Sequence, residues 1–168
     1  MKVIFLDVDG VLNHAGCTER AYSGVLGICI EHLEHLRSIV QQTGAKIVLT
    51  STWKEYWEKT EAEITDKDGH YLAEKIKESG LEILDKTEDW ILNRGEGIRI
   101  WMEKTEKQET IESWVVLDDE IFPDYEKYEI LPHLVKTNFG GNEAGLQEKH
   151  VREAVRLLNG MQESRKEA

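Results

Sequence analysis

The chain has 168 residues, a formal net charge of −12, 40% hydrophobic and 32% charged residues, which suits one packed domain and excludes a wholly disordered chain. No apolar run reaches the length of a membrane span, and Met1-Lys2 leads straight into an apolar segment without a signal-peptide core, so a cytoplasmic location and no membrane partner are expected. The acidity makes a long nucleic-acid partner unfavourable, since duplex binding depends mainly on neutralising phosphates with Lys and Arg; a nucleotide, a strand end or a small phosphoester stays compatible.

Val3-Ile4-Phe5-Leu6 reads as a strand buried on both faces, and it runs into Asp7-Val8-Asp9-Gly10-Val11-Leu12. Two acids at the end of a core strand need a cation, hydrogen bonds or water to offset desolvation. Residues 13–27 are small and polar, a loop or flap. Ile30, Leu33, Leu36, Ile39 and Val40 give a helical stripe that Gly44 stops, and Lys46-Ile47-Val48-Leu49 makes a second buried strand ending in Thr50-Ser51-Thr52-Trp53-Lys54. Strand, helix and strand form a right-handed βαβ unit with both strand ends at one edge.

Residues 55–68 read as a polar helix followed by a turn at Asp66-Lys67-Asp68-Gly69, and residues 71–79 as a helix closed by Gly80. Leu81-Glu82-Ile83-Leu84 is a short strand or an extended loop. A helix begins near Asn93-Arg94-Gly95-Glu96, and the polar stretch 103–113 is a connection. Trp114-Val115-Val116-Leu117 then repeats the opening arrangement by ending in Asp118-Asp119-Glu120. A shorter strand over 130–136 has Pro132 at an edge position, 138–142 is a loop, and Val151, Ala154, Val155 and Leu158 mark a last helix before a frayed tail over 162–168. Alternating strands and helices predict a parallel sheet of about five strands, covered on both faces, as one domain over 1–161.

Such a sheet brings Asp7 and Asp9, Thr50 and Ser51, and Asp118 and Asp119 to one edge, where α/β folds place their ligands. Four crowded carboxylates raise one another's pKa, and Mg²⁺ is the hard cation that answers the crowding. An aspartate beside such an ion can attack phosphorus, a second can carry the proton, and hydroxyls with a basic side chain can hold the phosphoryl oxygens. Arg94 is the best-placed basic candidate. Arginine grips phosphate in a fork, chemically sound but not equivalent to lysine.

Through Asp7-Val8-Asp9-Gly10-Val11-Leu12, the hydroxyl pair after Val48-Leu49, and Leu117-Asp118-Asp119, the chain resembles the haloacid dehalogenase-like (HAD) superfamily of aspartyl phosphohydrolases. The stretch from Ile47 to Lys54, with Arg94-Gly95-Glu96 and Gly145-Leu146, is similar to its small-cap branch related to phosphatase domains of RNA-repair proteins. The resemblance implies a three-layer Rossmann-like fold with a minimal cap and a Mg²⁺-dependent phosphomonoester hydrolase. It implies Asp7 as nucleophile, Asp9 as general acid/base that also offers its carbonyl to the metal, and Asp118 or Asp119 as the remaining ligand. Thr50 or Ser51 is the phosphate-binding hydroxyl, with Thr50 favoured, and Arg94 stands where the family commonly has lysine. The branch tends to carry arginine where this chain has Lys54. Two alternatives keep the same fold: a catalytically silent phosphate- or partner-binding domain, and a phosphotransferase.

The remaining chemistry-bearing residues have plainer readings. Most of Trp53, Trp57, Trp90, Trp101 and Trp114 read as core, with Trp53 near enough to a motif to meet substrate. Cys17 and Cys29 read as reduced bystanders, His14 as a polar surface residue, and His32 and His35 as exposed helix positions. Glu120 and Asp124 read as helix N-terminal acids or as partners of a metal-bound water.

Overall fold

A computed structural model describes residues 1–88 and 93–160; Trp90 and the 162–168 tail lie outside the described residues. Strands β1 (Lys2–Leu6), β2 (Lys46–Leu49), β3 (Ile83–Lys86), β4 (Ser113–Asp118) and β5 (Leu134–Lys136) form one all-parallel sheet in the order β3-β2-β1-β4-β5. Helix α1 (Ile30–Thr43) joins β1 to β2, α2 (Lys67–Glu78) precedes β3, α3 (Arg94–Glu106) precedes β4, and α4 (Glu148–Leu158) follows β5. This is the three-layer α/β architecture expected from the sequence.

The pleat of the central strands divides the core in two. Ile4, Leu6, Ile47, Leu49, Val115 and Leu117 face the apolar stripes of α1, α2 and α4, including Leu36, Leu72 and Ala154. Val3, Phe5, Val48, Trp114 and Val116 face the other way, against Ile98, Trp101 and Met102 of α3 and against Phe122, Tyr125 and Ile130. Phe5 meets Trp101 and Trp114 edge-on at 5.5 and 5.9 Å, the favoured geometry for aromatic quadrupoles.

Register decides what happens at the edge. Leu6 pairs with Leu49 on one side and with Leu117 on the other. The next residues, Asp7, Thr50 and Asp118, therefore lie side by side at the sheet's edge, Asp118 as the last residue of β4 still paired with Lys136, held by Asp7 N–H to Leu117 O (3.0 Å) and Thr50 N–H to Leu6 O (2.9 Å).

Several boundaries differ from expectation for local reasons. The turn expected at 66–69 is the start of α2: the Asp66 carboxylate accepts from the N–H groups of Asp68 and Gly69 and caps the helix. In place of the expected polar helix, residues 52–65 hold two short 3₁₀ turns, at Thr52–Glu55 and Glu61–Glu63. Lys86 ties the first of them down, donating from Nζ to Lys54 O and Trp57 O (both 2.8 Å) and pairing with Glu58. Helix α3 continues to Glu106, so the connection is shorter than 103–113. Pro132 lies in a 3₁₀ turn, Leu131–His133, ahead of β5 rather than within a strand. At Gly44 the chain takes φ +71°, and its N–H returns to Val40 O to close α1.

Candidate active site

Asp7, Asp118 and Asp119 bring carboxylate oxygens within 4.8 Å of one another. Asp118 is fully buried and fully paired: Oδ2 accepts from Arg94 Nη1 (2.9 Å) and the Tyr125 hydroxyl (2.7 Å), and Oδ1 from Glu120 N–H (3.0 Å). Arg94 reaches Asp7 Oδ2 at 3.6 Å, and its guanidinium stacks 4.0 Å from the centre of the Phe122 ring. Asp7 Oδ1 accepts from Val8 N–H at 2.9 Å. Gly10, at φ +84°, makes this packing possible, because a Cβ there would lie 2.3 Å from the Asp119 side chain. Its carbonyl accepts from the Thr137 hydroxyl at the end of β5 (2.6 Å).

The electrostatics follow from burial and crowding. Burial, then the charge of Asp118, pushes the Asp7 carboxyl well above its ordinary pKa, against the pull of Arg94. Asp119 is pushed up to about 6, by burial first and then by Asp118, although a hydrogen bond with Asp7 acts the other way. Burial opposes the charge on Arg94, yet Asp7 and Asp118 outweigh it and keep the guanidinium charged. Burial, helped by Asp118, likewise holds the Tyr125 hydroxyl protonated as a donor. The Arg94 guanidinium thus faces Asp7 and Asp118, with Asp119 beside them.

Asp9 is not part of that cluster, so the expected gathering of four carboxylates is corrected to three. Its Oδ1 accepts from Asn13 Nδ2 (2.9 Å) and its Oδ2 from the Trp53 indole N–H (3.2 Å). Asn13 is itself fixed, accepting from Gly10 N–H (3.0 Å) and donating to Gly27 O (2.9 Å). Beyond β1 the chain leaves the extended conformation and turns, with Gly10 at φ +84°, and Asp9 faces a cleft of about 390 Å³ that Val25, Leu26, Trp53, Tyr56, Asp68 and Phe139 also line.

Of the two candidate hydroxyls, Thr50 Oγ1 is buried and has no hydrogen-bond partner among the described residues. Ser51 Oγ accepts from Trp53 N–H (3.2 Å), capping the short helical turn that follows. Both residues are fully buried.

Other expectations resolve plainly. Trp53, Trp57, Trp101 and Trp114 are all buried. Asp124 caps a helix, but not one that follows it: its carboxylate accepts from Gly95 and Glu96 N–H at the start of α3 (3.0 and 2.9 Å). Glu120 meets the site through its backbone. His32 is not an exposed helix position, being 1% exposed, and Cys17 and Cys29 are bridged rather than reduced. Tyr125, Thr137 and Asn13 were not expected at the site; only the fold brings the first two there, while Asn13, four residues past Asp9, was within reach of a local reading.

A family model described as "HAD domain in Swiss Army Knife RNA repair proteins" matches residues 3–151. The chain belongs to this family. Membership places it with HAD-type phosphohydrolases at the level of the superfamily. Comparison with curated proteins and with solved structures finds no match. Among the described residues, no helix is long and apolar enough to cross a membrane.

Proposed function

We propose that the protein is a Mg²⁺-dependent phosphomonoester hydrolase that works through an aspartyl-phosphate on Asp7. The observation that carries this reading is that Asp7, Thr50 and Asp118 stand level at the ends of three neighbouring strands, an arrangement that suits a nucleophile, a hydroxyl without a partner among the described residues and a paired acid acting around one point. The donor set suits a hard divalent ion: three carboxylates, all oxygen donors, with one arginine to offset them. Asp7, Asp118 and Asp119 would hold the ion, with the backbone carbonyl of Asp9 as the further donor that the resemblance implies. When bound, Mg²⁺ supplies the charge that lets these acids ionise together and draws negative charge from the phosphoryl oxygens.

The protein's own groups carry the reaction. The Asp7 carboxylate attacks phosphorus while the bond to the leaving oxygen breaks, and Asp9, protonated, gives its proton to that oxygen. Asp9 as carboxylate then takes a proton from water, whose oxygen displaces Asp7 and releases inorganic phosphate. Asn13 and the Trp53 indole orient Asp9 for both transfers. The Thr50 hydroxyl donates to a phosphoryl oxygen, and Ser51 retains a hydroxyl proton for a second such bond. Arg94, 3.6 Å from Asp7, orients the nucleophile. The exposed aromatic faces of Tyr56 and Phe139 at the cleft suit a leaving group with a flat apolar part, which favours a nucleotide or a nucleic-acid end.

The test is turnover, with Mg²⁺, of an aryl phosphate and of a panel of nucleoside monophosphates, 3′-phosphorylated oligonucleotides, sugar phosphates and phosphopeptides. Hydrolysis that is lost in Asp7→Asn is expected. A well-folded wild-type chain that binds phosphate but turns over none of the panel would establish the silent domain instead.

A further inference from the structure

His14, Cys17, Cys29 and His32 form a second cluster, built from sulfur and imidazole and lacking any carboxylate, with all four donor atoms within 4.8 Å of one another. The geometry points to a structural Zn²⁺ site that these four side chains make when the Cys17–Cys29 bridge is reduced.

Four observations carry it. The sequence presents the donors as His-x₂-Cys and then Cys-x₂-His, two mirrored pairs each closed on a single turn. Cys17 N–H bonds back to His14 O (3.0 Å), and Leu33 N–H bonds to Cys29 O (3.2 Å), Cys29 standing just ahead of α1 as its N-cap. His32 is fixed from behind: Nδ1 lies 2.9 Å from Leu146 O, a carbonyl that can only accept, so Nδ1 carries the proton and Nε2 turns its lone pair into the cluster. A carbonyl fixing the far nitrogen is the usual support of a metal-bound histidine. Gly145 leaves room for that ring, since a Cβ at this residue would lie 2.3 Å from it.

The spacing also fits. His14 Nδ1 is 2.8 Å from His32 Nε2 and 3.2 Å from Cys17 Sγ, close to the roughly 3–4 Å edges of a tetrahedron with Zn–S and Zn–N bonds of about 2.3 and 2.1 Å. A disulfide uses two of these groups, and a His–His hydrogen bond the other two; neither explains why all four converge. Soft and borderline donors select Zn²⁺ over Mg²⁺, and four protein ligands leave no open position, so the site is structural.

The chemistry balances with a dithiol reductant. It gives two electrons and two protons to the Cys17–Cys29 bond and ends as its own disulfide. Zn²⁺ then replaces the two thiol protons, which pass to solvent, and meets two thiolates and two neutral imidazoles. The consequence reaches the active site. Cys29 N–H bonds to Leu12 O (2.9 Å) and Asn13 binds Gly27 O, so the ion would staple both ends of loop 13–29 beside the side chain that orients Asp9.

The test uses the full chain in dithiol-containing buffer, loaded with Co²⁺ as a spectroscopic stand-in and, separately, with Zn²⁺ followed by removal of excess metal. Expected are one tightly held Zn²⁺ per chain, two-sulfur two-nitrogen coordination by X-ray absorption, and, for Co²⁺, tetrahedral visible bands with a thiolate charge-transfer band. The carboxylate site cannot give that last signal. Asp119→Asn keeps it, and Cys29→Ser and His32→Gln lose it. Free thiols without bound metal, a disulfide that persists in reductant, or an octahedral Co²⁺ spectrum lacking the thiolate band would each overturn the assignment, and all three are read on the wild-type chain.

Discussion

Asp7, Asp118 and Asp119 gather where β1 and β4 end, whereas His14, Cys17, Cys29 and His32 gather between a loop and the first turn of α1. The first set is acidic and carries its own partial answer in Arg94; the second holds no carboxylate and gains negative charge only when its thiols ionise. Position follows from this difference. Crowded acids must be held against their own repulsion, which strands locked on both sides can do, while a set without carboxylates can be brought together by a loop and used to hold that loop in place. Both sets converge on the same turn: Gly10 packs on Asp119, and Asn13, next to His14, fixes Asp9.

The sharpest way to separate the two is to disable the proposed proton carrier without touching either cluster. Asp9→Asn is expected to lower kcat on an alkyl phosphate by about 10²–10⁴, and by less on an aryl phosphate, whose leaving oxygen needs less help. Thermal stability should change little, because the amide oxygen can still accept from Trp53 or Asn13. Equal losses on both substrates would remove Asp9 from the proton transfer.

Arg94→Met breaks the self-balancing of the acids. It leaves Asp7 and Asp118 facing each other in a dry site, a loss of about 3–5 kcal/mol at neutral pH, measured by urea denaturation. Mg²⁺ should restore part of this. Unchanged stability would mean that the arginine is not the counter-charge. Thr50→Val is the opposite case, since Oγ1 has no partner to lose among the described residues: folding stability should stay within about 1 kcal/mol of wild type, while kcat falls by about 10² as a phosphoryl donor disappears. Asp124→Ala removes the acceptor for two N–H groups at the start of α3 and should cost about 1–2 kcal/mol, loosening Arg94 at that helix's first position.

The strands and the acids of the first cluster were legible in the sequence because both signals are local: an apolar run with polar residues at its end. Arg94 was legible as the basic group near a helix start. What joins them was not. Thr137 reaches the site only because β4 and β5 lie beside β1, Tyr125 reaches it because the chain after β4 folds back onto Asp118, and Asp124 caps a helix that begins 30 residues earlier in the chain. Asp9 reads as a fourth member of the cluster because four acids at two strand ends look equivalent, and period-two alternation would keep Asp7 and Asp9 on one face; the chain instead turns directly after β1, with Gly10 at φ +84°, and Asp9 parts from Asp7 there. The second cluster was missed although its mirrored spacing is readable. Judged singly, His14 is a loop histidine and His32 sits on an amphipathic helix, and only the return of loop 13–29 to Leu12 brings the pairs face to face.

The smallest expected effect concerns an imidazole that belongs to neither cluster and so serves as the control for both. His150 is 4% exposed and caps α4 by accepting Gln147 N–H at Nδ1 (2.9 Å). Burial, then the positive charge of Lys149, lowers its pKa, with Glu143 opposing and His35 adding slightly. Between this lowered folded value and the ordinary one near 6.5, the unfolded chain binds the extra proton. Stability is therefore full above about pH 6.5 and declines as pH falls through the folded pKa, since protonation also removes the lone pair that receives Gln147. In His150→Gln, an amide oxygen can accept the same N–H and does not titrate. Denaturation midpoints compared from pH 7 to pH 5 should fall more steeply for wild type than for the variant, and parallel curves would show that the cap does not feel the proton.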